Sequence, residues 1–194
     1  MLARPRGAGK DSFSHADSAA LFAALRLEPG GLLVDLACGP GSYSLEAARR
    51  FPALSVLALD LAADLVEGLR ARAATEGLAN LRADVADLAG RLPLGDDAAD
   101  ACLMAMIVHD LVADRAADAA LREVRRVLKP GGRLAVVEFL KRQPPPGPPL
   151  DVRLAPAELD GLLARAGFEP VQPPRFGEVA YMTIYRPVAD RRPA

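Results

Sequence analysis

Cysteine and histidine are scarce in this chain of 194 residues. The two cysteines are Cys38 and Cys102, and the two histidines are His15 and His109. Because both cysteines lie in apolar segments that we predict to be strands, they do not indicate a disulfide framework, which favours a reducing compartment. No Cys-x-x-Cys or His-x-x-x-His spacing occurs, so we expect no metal site.

An excess of positive charge and long apolar runs are also missing. The 24 Lys and Arg are balanced by 25 Asp and Glu, for a net charge of −1, so no basic surface indicates a nucleic-acid partner. No uncharged apolar run reaches the ~18 residues of a membrane span, and residues 1–10 lack the apolar core of a signal peptide. We therefore expect a cytoplasmic protein without a membrane partner. The sequence leaves its oligomeric state open.

The apolar pattern predicts alternating strands and helices. A hydrophobic fraction of 51% over this length suits a single domain, residues 1–194, with residues 1–15 as a mobile N-terminal segment. We predict strands at residues 32–36, 54–59, 81–84, 99–106 and 133–140, and helices at 16–27, 42–50, 62–76 and 114–128. A stiff proline-rich loop at 144–149 precedes a helix at 157–166 and strands at 168–171 and 179–185. The alternation indicates an α/β fold with a doubly wound parallel sheet.

The most informative segment covers residues 34–44, Val-Asp-Leu-Ala-Cys-Gly-Pro-Gly-Ser-Tyr-Ser. It predicts a strand that ends in a glycine turn and continues into a helix. Such a turn presents free backbone N–H groups and the positive end of a helix, where a small anionic group binds. Asp60 ends the next predicted strand and is placed to accept hydrogen bonds from two ribose hydroxyls. Together these features predict a nucleoside-bearing cofactor with an acidic tail.

Two familiar nucleotide-binding motifs do not fit the sequence of this turn. A dinucleotide fingerprint needs a third glycine three positions after Gly41, where this chain has Ser44. A P-loop is excluded because no Lys-Ser or Lys-Thr pair follows the glycines. A lone Gly-x-Gly is also compatible with a plain connector between a strand and a helix. The turn by itself therefore leaves the cofactor undecided.

Three later segments narrow the choice. The first covers residues 81–88 and contains Asp84, and the second covers residues 100–111 and contains His109. The third covers residues 121–138; it contains the motif Arg-Val-Leu-Lys-Pro-Gly-Gly and ends at Glu138. In this order the motifs resemble those of class I S-adenosylmethionine-dependent methyltransferases, in the small-molecule group that includes the ubiquinone and menaquinone C-methyltransferases. The resemblance runs from about Leu27 to the C-terminus. It implies a Rossmann-like sheet of about seven strands, mostly parallel with the last strand antiparallel, and helices on both faces. It also implies methyl transfer from S-adenosylmethionine to a small-molecule acceptor by in-line displacement.

The same resemblance assigns cofactor contacts to particular positions. The N–H groups from Gly39 to Ser42 would bind the methionine carboxylate, and Asp35 with backbone near Ala37 and Ala105 would bind the amino group. Asp60 would bind the ribose, Asp84 and the Val85 N–H would bind adenine, and Leu61 would pack on its ring. The implied cofactor-binding set is Asp35, Ala37, Cys38, Gly39, Gly41, Ser42, Asp60, Leu61, Asp84, Val85 and Ala105. Ala37 departs from the glycine of many relatives, and Cys38 is expected to be structural rather than catalytic.

Two residues are candidates for proton transfer. His109 has an unperturbed pKa near ~6.5, which suits a general base, and Glu138 is the second candidate. His109 could instead only orient a loop, Glu138 could pair with an arginine, and Asp110 could cap a helix. His15 could fold over the cofactor or face solvent. A thiolate or halide acceptor would need no base.

Two alternatives from other functional classes stay open. A non-catalytic S-adenosylmethionine-binding module would keep the same cofactor motifs. A nucleotide-dependent oxidoreductase is disfavoured by Ser44 and by the lack of a Tyr-x-x-x-Lys pair.

Overall fold

The computed structural model of the protein describes residues 13–143 and 147–189. Within these residues one mixed sheet has the strand order β3-β2-β1-β4-β5-β8-β6, and the short β7 pairs with β8. The strands are β1 Leu32–Leu36, β2 Ser55–Asp60, β3 Leu81–Val85, β4 Ala99–Ala105, β5 Leu128–Phe139, β6 Phe168–Pro170, β7 Arg175–Phe176 and β8 Ala180–Pro187. The helices are α1 Ser18–Leu25, α2 Ser42–Arg50, α3 Ala63–Thr75, α4 Val108–Ala113, α5 Ala117–Val127 and α6 Pro156–Arg165. A short 3-10 helix, Phe13–His15, precedes α1.

Strands β1 to β5 are parallel to one another, whereas β8 lies antiparallel to β5, β6 and β7. This confirms the predicted mostly parallel sheet with an antiparallel last strand. The strand order reverses between β1 and β4. In open α/β sheets a ligand binds outside the carboxyl ends of the strands at such a reversal. The topology therefore directs attention to the carboxyl ends of β1, β2, β4 and β5.

Both faces of the sheet are covered. Along β1, Val34 packs in a core that contains residues of α4, α5 and α6, and Leu33 packs on the opposite face with residues of α1 and α2. Leu69 of α3 belongs to a third, smaller core that also contains Leu45 of α2. Burial on both faces explains why the strands read as nearly continuous apolar runs.

The segment between β4 and β5 differs from the prediction. The helix predicted over residues 114–128 is confirmed as α5, which spans Ala117–Val127. Helix α4 was not predicted, and a turn in which Arg115 has a φ of 59° separates it from α5. The Ala116 N–H donates to the Leu111 carbonyl across this turn. Such a left-handed backbone is uncommon for a residue other than glycine, and it interrupts the helical hydrogen-bond ladder.

The Lys-Pro-Gly-Gly segment follows the end of α5, as predicted, but it also belongs to β5, which begins at Leu128 and not at residue 133. Leu128 already pairs with Ala99, and the next paired residues are Arg133 and Ala101, so residues 129–132 lie in a bulge. A Cβ on Gly132 would lie 2.7 Å from a Leu128 side-chain carbon. The bulge thus accommodates Pro130, which has no N–H for the strand ladder. It also brings Gly132 so close to Leu128 that glycine is favoured at this position.

Smaller differences occur at the ends of the chain. Helix α1 begins at Ser18, since the Asp17 carboxylate accepts a hydrogen bond from the Ala20 N–H at 2.9 Å. Of the predicted N-terminal segment, residues 1–12 lie outside the described residues, as do residues 144–146 of the proline-rich loop. No helix among the described residues is long and apolar enough to span a membrane.

Candidate active site

The glycine turn joins β1 to α2 through three residues with left-handed backbone. The φ angles are 57° at Ala37, 55° at Gly39 and 81° at Gly41. A Cβ on Gly41 would lie 2.4 Å from a Leu69 methyl carbon, so α3 packs directly against the turn and only glycine suits this position. Ala37 adopts the same backbone region at a cost of about 1 kcal/mol. This geometry explains why glycine is common at position 37 in the family that the sequence resembles.

The acid on β1 is tied to the start of α2. Asp35 is 2% exposed and its Oδ2 accepts a hydrogen bond from the Ser44 hydroxyl at 2.6 Å. Burial raises the pKa of Asp35, the hydrogen bonds from Ser44 oppose this effect, and the nearby Asp60 carboxylate adds to it, so that the pKa is about 6. Asp35 therefore titrates much closer to neutrality than an ordinary aspartate. The sequence did not indicate this contact, because Ser44 was considered only as a missing glycine.

Asp60 connects two turns at the carboxyl end of β2. Its Oδ2 accepts a hydrogen bond from the Gly39 N–H at 2.8 Å, and its Oδ1 accepts one from the Ala62 N–H at 2.8 Å. A carboxylate oxygen has two acceptor positions, so each oxygen keeps capacity for a further donor such as a ribose hydroxyl. Leu61 follows and is half-buried. The glycine turn and the acid of β2, identified separately from the sequence, are thus one hydrogen-bonded unit.

The predicted adenine-binding residues lie at the free edge of the sheet. Val85 pairs with Asp60, and its side chain is 49% exposed. The Asp84 carboxylate makes ion pairs with Arg70 at 3.2 Å and Arg82 at 2.6 Å. Asp84 is therefore engaged by two arginines, neither of which the sequence associated with it.

His109 and Glu138 form a buried pair on the other side of the strand reversal. His109 is the second residue of α4, and Glu138 lies near the end of β5. The ring Nδ1 lies 2.7 Å from Oε2 of Glu138, and the His109 backbone N–H donates to Oε1 at 3.2 Å. The two residues are 4% and 0% exposed. The sequence had named both residues as candidates but had not predicted that they contact each other.

The charges around His109 favour its protonated form. Burial lowers the pKa of His109, and the Arg153 charge lowers it further. The hydrogen bond and charge of Glu138, together with the charge of Asp110, outweigh both effects, so that the pKa of His109 lies above its usual value. The Asp110 carboxylate lies 3.6 Å from the ring Nε2. At neutral pH the imidazole is thus more protonated than an exposed histidine would be.

Aromatic and cationic side chains surround this pair. The Phe139 ring lies 6.2 Å from the His109 ring and 6.0 Å from the His15 ring, measured between centroids. The Arg153 guanidinium lies 5.5 Å from the Phe139 centroid and donates to the Leu140 carbonyl at 2.9 Å. The N-terminal 3-10 helix therefore lies beside the candidate catalytic residues.

The cofactor candidates and the catalytic candidates occupy neighbouring parts of one sheet edge. Asp35 pairs with Leu103 of β4, and Ala105 at the end of β4 pairs with Val137, next to Glu138. The structure thus brings Asp35, Gly39, Gly41, Ser42 and Asp60 together at the carboxyl ends of β1 and β2. Ala105 on β4, His109 on α4 and Glu138 on β5 lie at the adjoining part of this edge. Asp84 and Val85 lie farther along the edge, on β3.

The cysteine thiols do not contribute nucleophiles. Burial raises the pKa of Cys38 far above its usual value, and the charges of Asp35 and Asp60 raise it further. Burial raises the pKa of Cys102 to about 12. A thiol must ionise to react as a nucleophile, so these raised pKa values argue against a nucleophilic role for either cysteine. The described residues contain no cluster of His, Cys, Asp and Glu side chains suited to a metal ion.

This fold and site define the class I, Rossmann-like group of methyltransferases. Residues 33–132 match the family model described as "Methyltransferase domain", and the chain belongs to this family. The match covers β1 to the bulge of β5, which includes each cofactor candidate and His109. The family predicted from the sequence motifs is confirmed.

Comparison with individual proteins agrees with this assignment. The chain is 34% identical over 117 residues to a ubiquinone/menaquinone biosynthesis C-methyltransferase, UbiE, of Geotalea daltonii, covering 59% of this chain and 48% of that protein. It thus spans about half the length of this curated relative. A SAM-dependent methyltransferase from Aquifex aeolicus superposes with a TM-score of 0.82 at 22% identity, covering 93% and 95% of the two chains. The [4+2]-cyclase SpnF superposes with a TM-score of 0.74 at 23% identity, covering 89% and 81%.

Proposed function

We propose that this protein transfers a methyl group from S-adenosylmethionine to a small-molecule acceptor by in-line displacement. The hydrogen bond between Asp60 and Gly39 supports this proposal most directly. It connects the carboxylate that would bind a ribose to the glycine turn that would bind the anionic end of the cofactor. When bound, S-adenosylmethionine supplies an electrophilic methyl group on a sulfonium. The protein has to hold the acceptor atom near van der Waals distance of that methyl, about 3–3.5 Å, and exclude water.

The donor and acceptor groups of the site suit each part of this cofactor. The positive end of the nine-residue helix α2 favours an anionic group such as a carboxylate. Of the N–H groups from Gly39 to Ser42 that the sequence assigned to the carboxylate, that of Gly39 donates to Asp60 and that of Gly41 donates to the Cys38 carbonyl, and Pro40 has none. Asp35 carries a buried carboxylate for an ammonium group, and Asp60 keeps acceptor capacity for two hydroxyls. At Gly41 the absence of a side chain lets the backbone approach its neighbours closely. We assign adenine to Asp84 and Val85, with the Arg70 and Arg82 ion pairs as competitors for the Asp84 carboxylate.

For an acceptor that must lose a proton, we propose His109 as the general base. Glu138 engages Nδ1 and leaves Nε2 as the nitrogen that takes the proton. Because Glu138 and Asp110 raise the pKa of His109, the imidazole acts as a base only above that raised pKa. Turnover should therefore fall as the pH is lowered through a midpoint above the ordinary value near ~6.5.

We further propose that the acceptor is a small molecule, that nucleic acid is not a substrate, and that the protein works in the cytoplasm. The near-neutral net charge of −1 supports this, as does the single sheet, which carries no added recognition domain within the described residues. A non-catalytic binding module is the main competing function, because a protein that only binds S-adenosylmethionine would keep the same cofactor-binding groups and fold does not fix function.

A transfer assay with methyl-labelled S-adenosylmethionine and a metabolite extract tests the proposal. We expect label in low-mass products, with S-adenosylhomocysteine released in equal amount. We expect His109→Gln to lower turnover by about 10²-fold or more with cofactor affinity nearly intact. Glu138→Gln should shift the acid limb of the pH profile to lower pH, because it removes the charge that raises the pKa of His109.

Three results would contradict these assignments. Label found only in nucleic acid or protein would exclude a small-molecule acceptor. Cofactor binding without any S-adenosylhomocysteine release would favour the binding module. An unchanged rate in a folded His109→Gln variant would exclude the general base and favour an acceptor that is already ionised.

A further inference from the structure

Helix α2 begins without a side-chain cap of its own. Its N-cap residue is Gly41, which has no side chain to accept from the first N–H groups. Asp35 of β1 supplies an acceptor in its place, since its carboxylate accepts from both the Ser44 hydroxyl, at 2.6 Å, and the Ser44 backbone N–H. Ser44 is 0% exposed, so this contact is closed to solvent. The residue that distinguishes this turn from a dinucleotide fingerprint thus holds the acid of β1.

The ionisable neighbours of Asp35 act against its charge, and Ser44 acts for it. Burial raises the pKa of Asp35 and the Asp60 carboxylate on β2 raises it further; with Ser44 opposing both effects, the pKa is about 6. The Cys38 thiol in the turn stays protonated and adds no charge. Strand β4 places the neutral Leu103 opposite Asp35. Among these neighbours, only the hydroxyl and N–H of Ser44 favour the carboxylate form.

We propose that Ser44 is a positioning residue for recognition of the cofactor's amino group, acting by holding Asp35 as an oriented carboxylate. This proposal rests on the proposed function, in which Asp35 binds that group. A carboxylate attracts an ammonium group, whereas a protonated carboxyl has lost that charge. Binding of a ligand with an ammonium group should therefore weaken as the pH falls through the pKa of Asp35, near 6. A ligand without the group should not respond in this way.

Removing the Ser44 hydroxyl should move this dependence to higher pH. A hydrogen bond to a charged group is worth enough to shift a pKa by about one to two units. In Ser44→Ala the affinity for S-adenosylhomocysteine should thus be about tenfold lower than in wild type at pH 6, and within about threefold at pH 8.5.

Calorimetric titrations between pH 5 and 8.5 with two ligands test the proposal. S-adenosylhomocysteine carries the ammonium group, and 5′-methylthioadenosine has the same nucleoside without the amino-acid part. We expect Ser44→Ala to shift the midpoint for the first ligand and to leave the second unchanged. Asp35→Asn should remove the pH dependence, and adding Ser44→Ala to it should cost no further affinity. Thr183→Val, which removes a buried hydroxyl from β8, is the matched control and should keep the wild-type profile.

The outcomes separate this proposal from the proposed function. Failure of the wild-type protein to bind S-adenosylhomocysteine would overturn the proposed function itself. Binding by wild type with an unshifted midpoint in Ser44→Ala would overturn only the role of Ser44. An equal loss for both ligands would also overturn it, since that result indicates general damage to the turn. A Ser44→Thr variant, which keeps the hydroxyl, should restore the wild-type midpoint.

Discussion

Replacing Asp60 should affect folding stability and cofactor binding in separable amounts. In Asp60→Ala the N–H groups of Gly39 and Ala62 each lose a charged acceptor at 2.8 Å. A hydrogen bond to a charged group contributes about 1.5–3 kcal/mol, and water can partly replace the carboxylate at this edge of the sheet. We expect the free energy of unfolding to fall by about 2–4 kcal/mol. Asp60→Asn keeps one acceptor oxygen and should lose about half as much.

The cofactor effect comes on top of the stability effect. Loss of the ribose contacts should weaken S-adenosylhomocysteine binding by about 1–3 kcal/mol, or roughly tenfold to 150-fold. Urea unfolding measures the first quantity and calorimetry below the unfolding range measures the second. Asp100→Ala is a matched control, because Asp100 also accepts from a backbone N–H, that of Leu32 at 2.8 Å, but lies near the start of β4. It should lower stability and leave cofactor affinity unchanged.

Two results would refute this reasoning. If Asp60→Ala unfolds at the same urea concentration as wild type, the two hydrogen bonds do not hold the turn in solution. If the free energy of unfolding falls but the affinity for S-adenosylhomocysteine does not, Asp60 has only a structural role and the ribose binds elsewhere.

Three further changes have predictable outcomes. Asp35→Asn should raise the free energy of unfolding by about 3 kcal/mol at pH 8, because burial is the main cause that raises the pKa of native Asp35 from 3.8 to about 6. The penalty on the native carboxylate grows as the pH rises from about 4 to 6, so urea unfolding should show the gain vanish below pH 4. Gly41→Ala should lower the free energy of unfolding by at least about 2 kcal/mol in the same assay, because Gly41 has a φ of 81° and a Cβ there would meet Leu69. The double variant with Leu69→Ala should lose less stability than the sum of the two single changes. Arg126→Met should destabilise the protein above pH 5 but much less near pH 2. The reason is that Arg126 lowers the pKa of Glu123 to about 2, and the stabilisation from this ion pair is lost as the pH falls through 4.5 towards 2. An equal loss of unfolding free energy at both pH values would contradict this prediction.

The parallel half of the fold could be predicted because its signals are local. The apolar run ending at Leu36 and the glycine turn specify β1 and α2 within one short segment, and the structure places both at the predicted bounds. The short helix α4 and the turn that separates it from α5 were not predicted, because the turn depends on the left-handed backbone of Arg115 and not on hydrophobic periodicity. The extension of β5 through Lys-Pro-Gly-Gly depends on pairing between Leu128 and Ala99, which are distant in the sequence.

The candidate site follows the same division. Motif position was enough to single out Asp60 and His109, since each follows a strand at the spacing of the family. The contacts that set their chemistry were not predictable, because they join distant residues. His109 meets Glu138 across 29 positions, and Gly39 meets Asp60 across 21. Such contacts depend on strand order and register, which a single sequence specifies only indirectly.

The central claim is that this sheet edge binds S-adenosylmethionine, and a calorimetric titration of that cofactor into the wild-type protein at pH 7.5 tests it most directly. We predict one-to-one binding in the micromolar range typical of enzyme ligands, and no comparable heat with NAD. An absence of heat with S-adenosylmethionine, or tighter binding of NAD, would contradict the account.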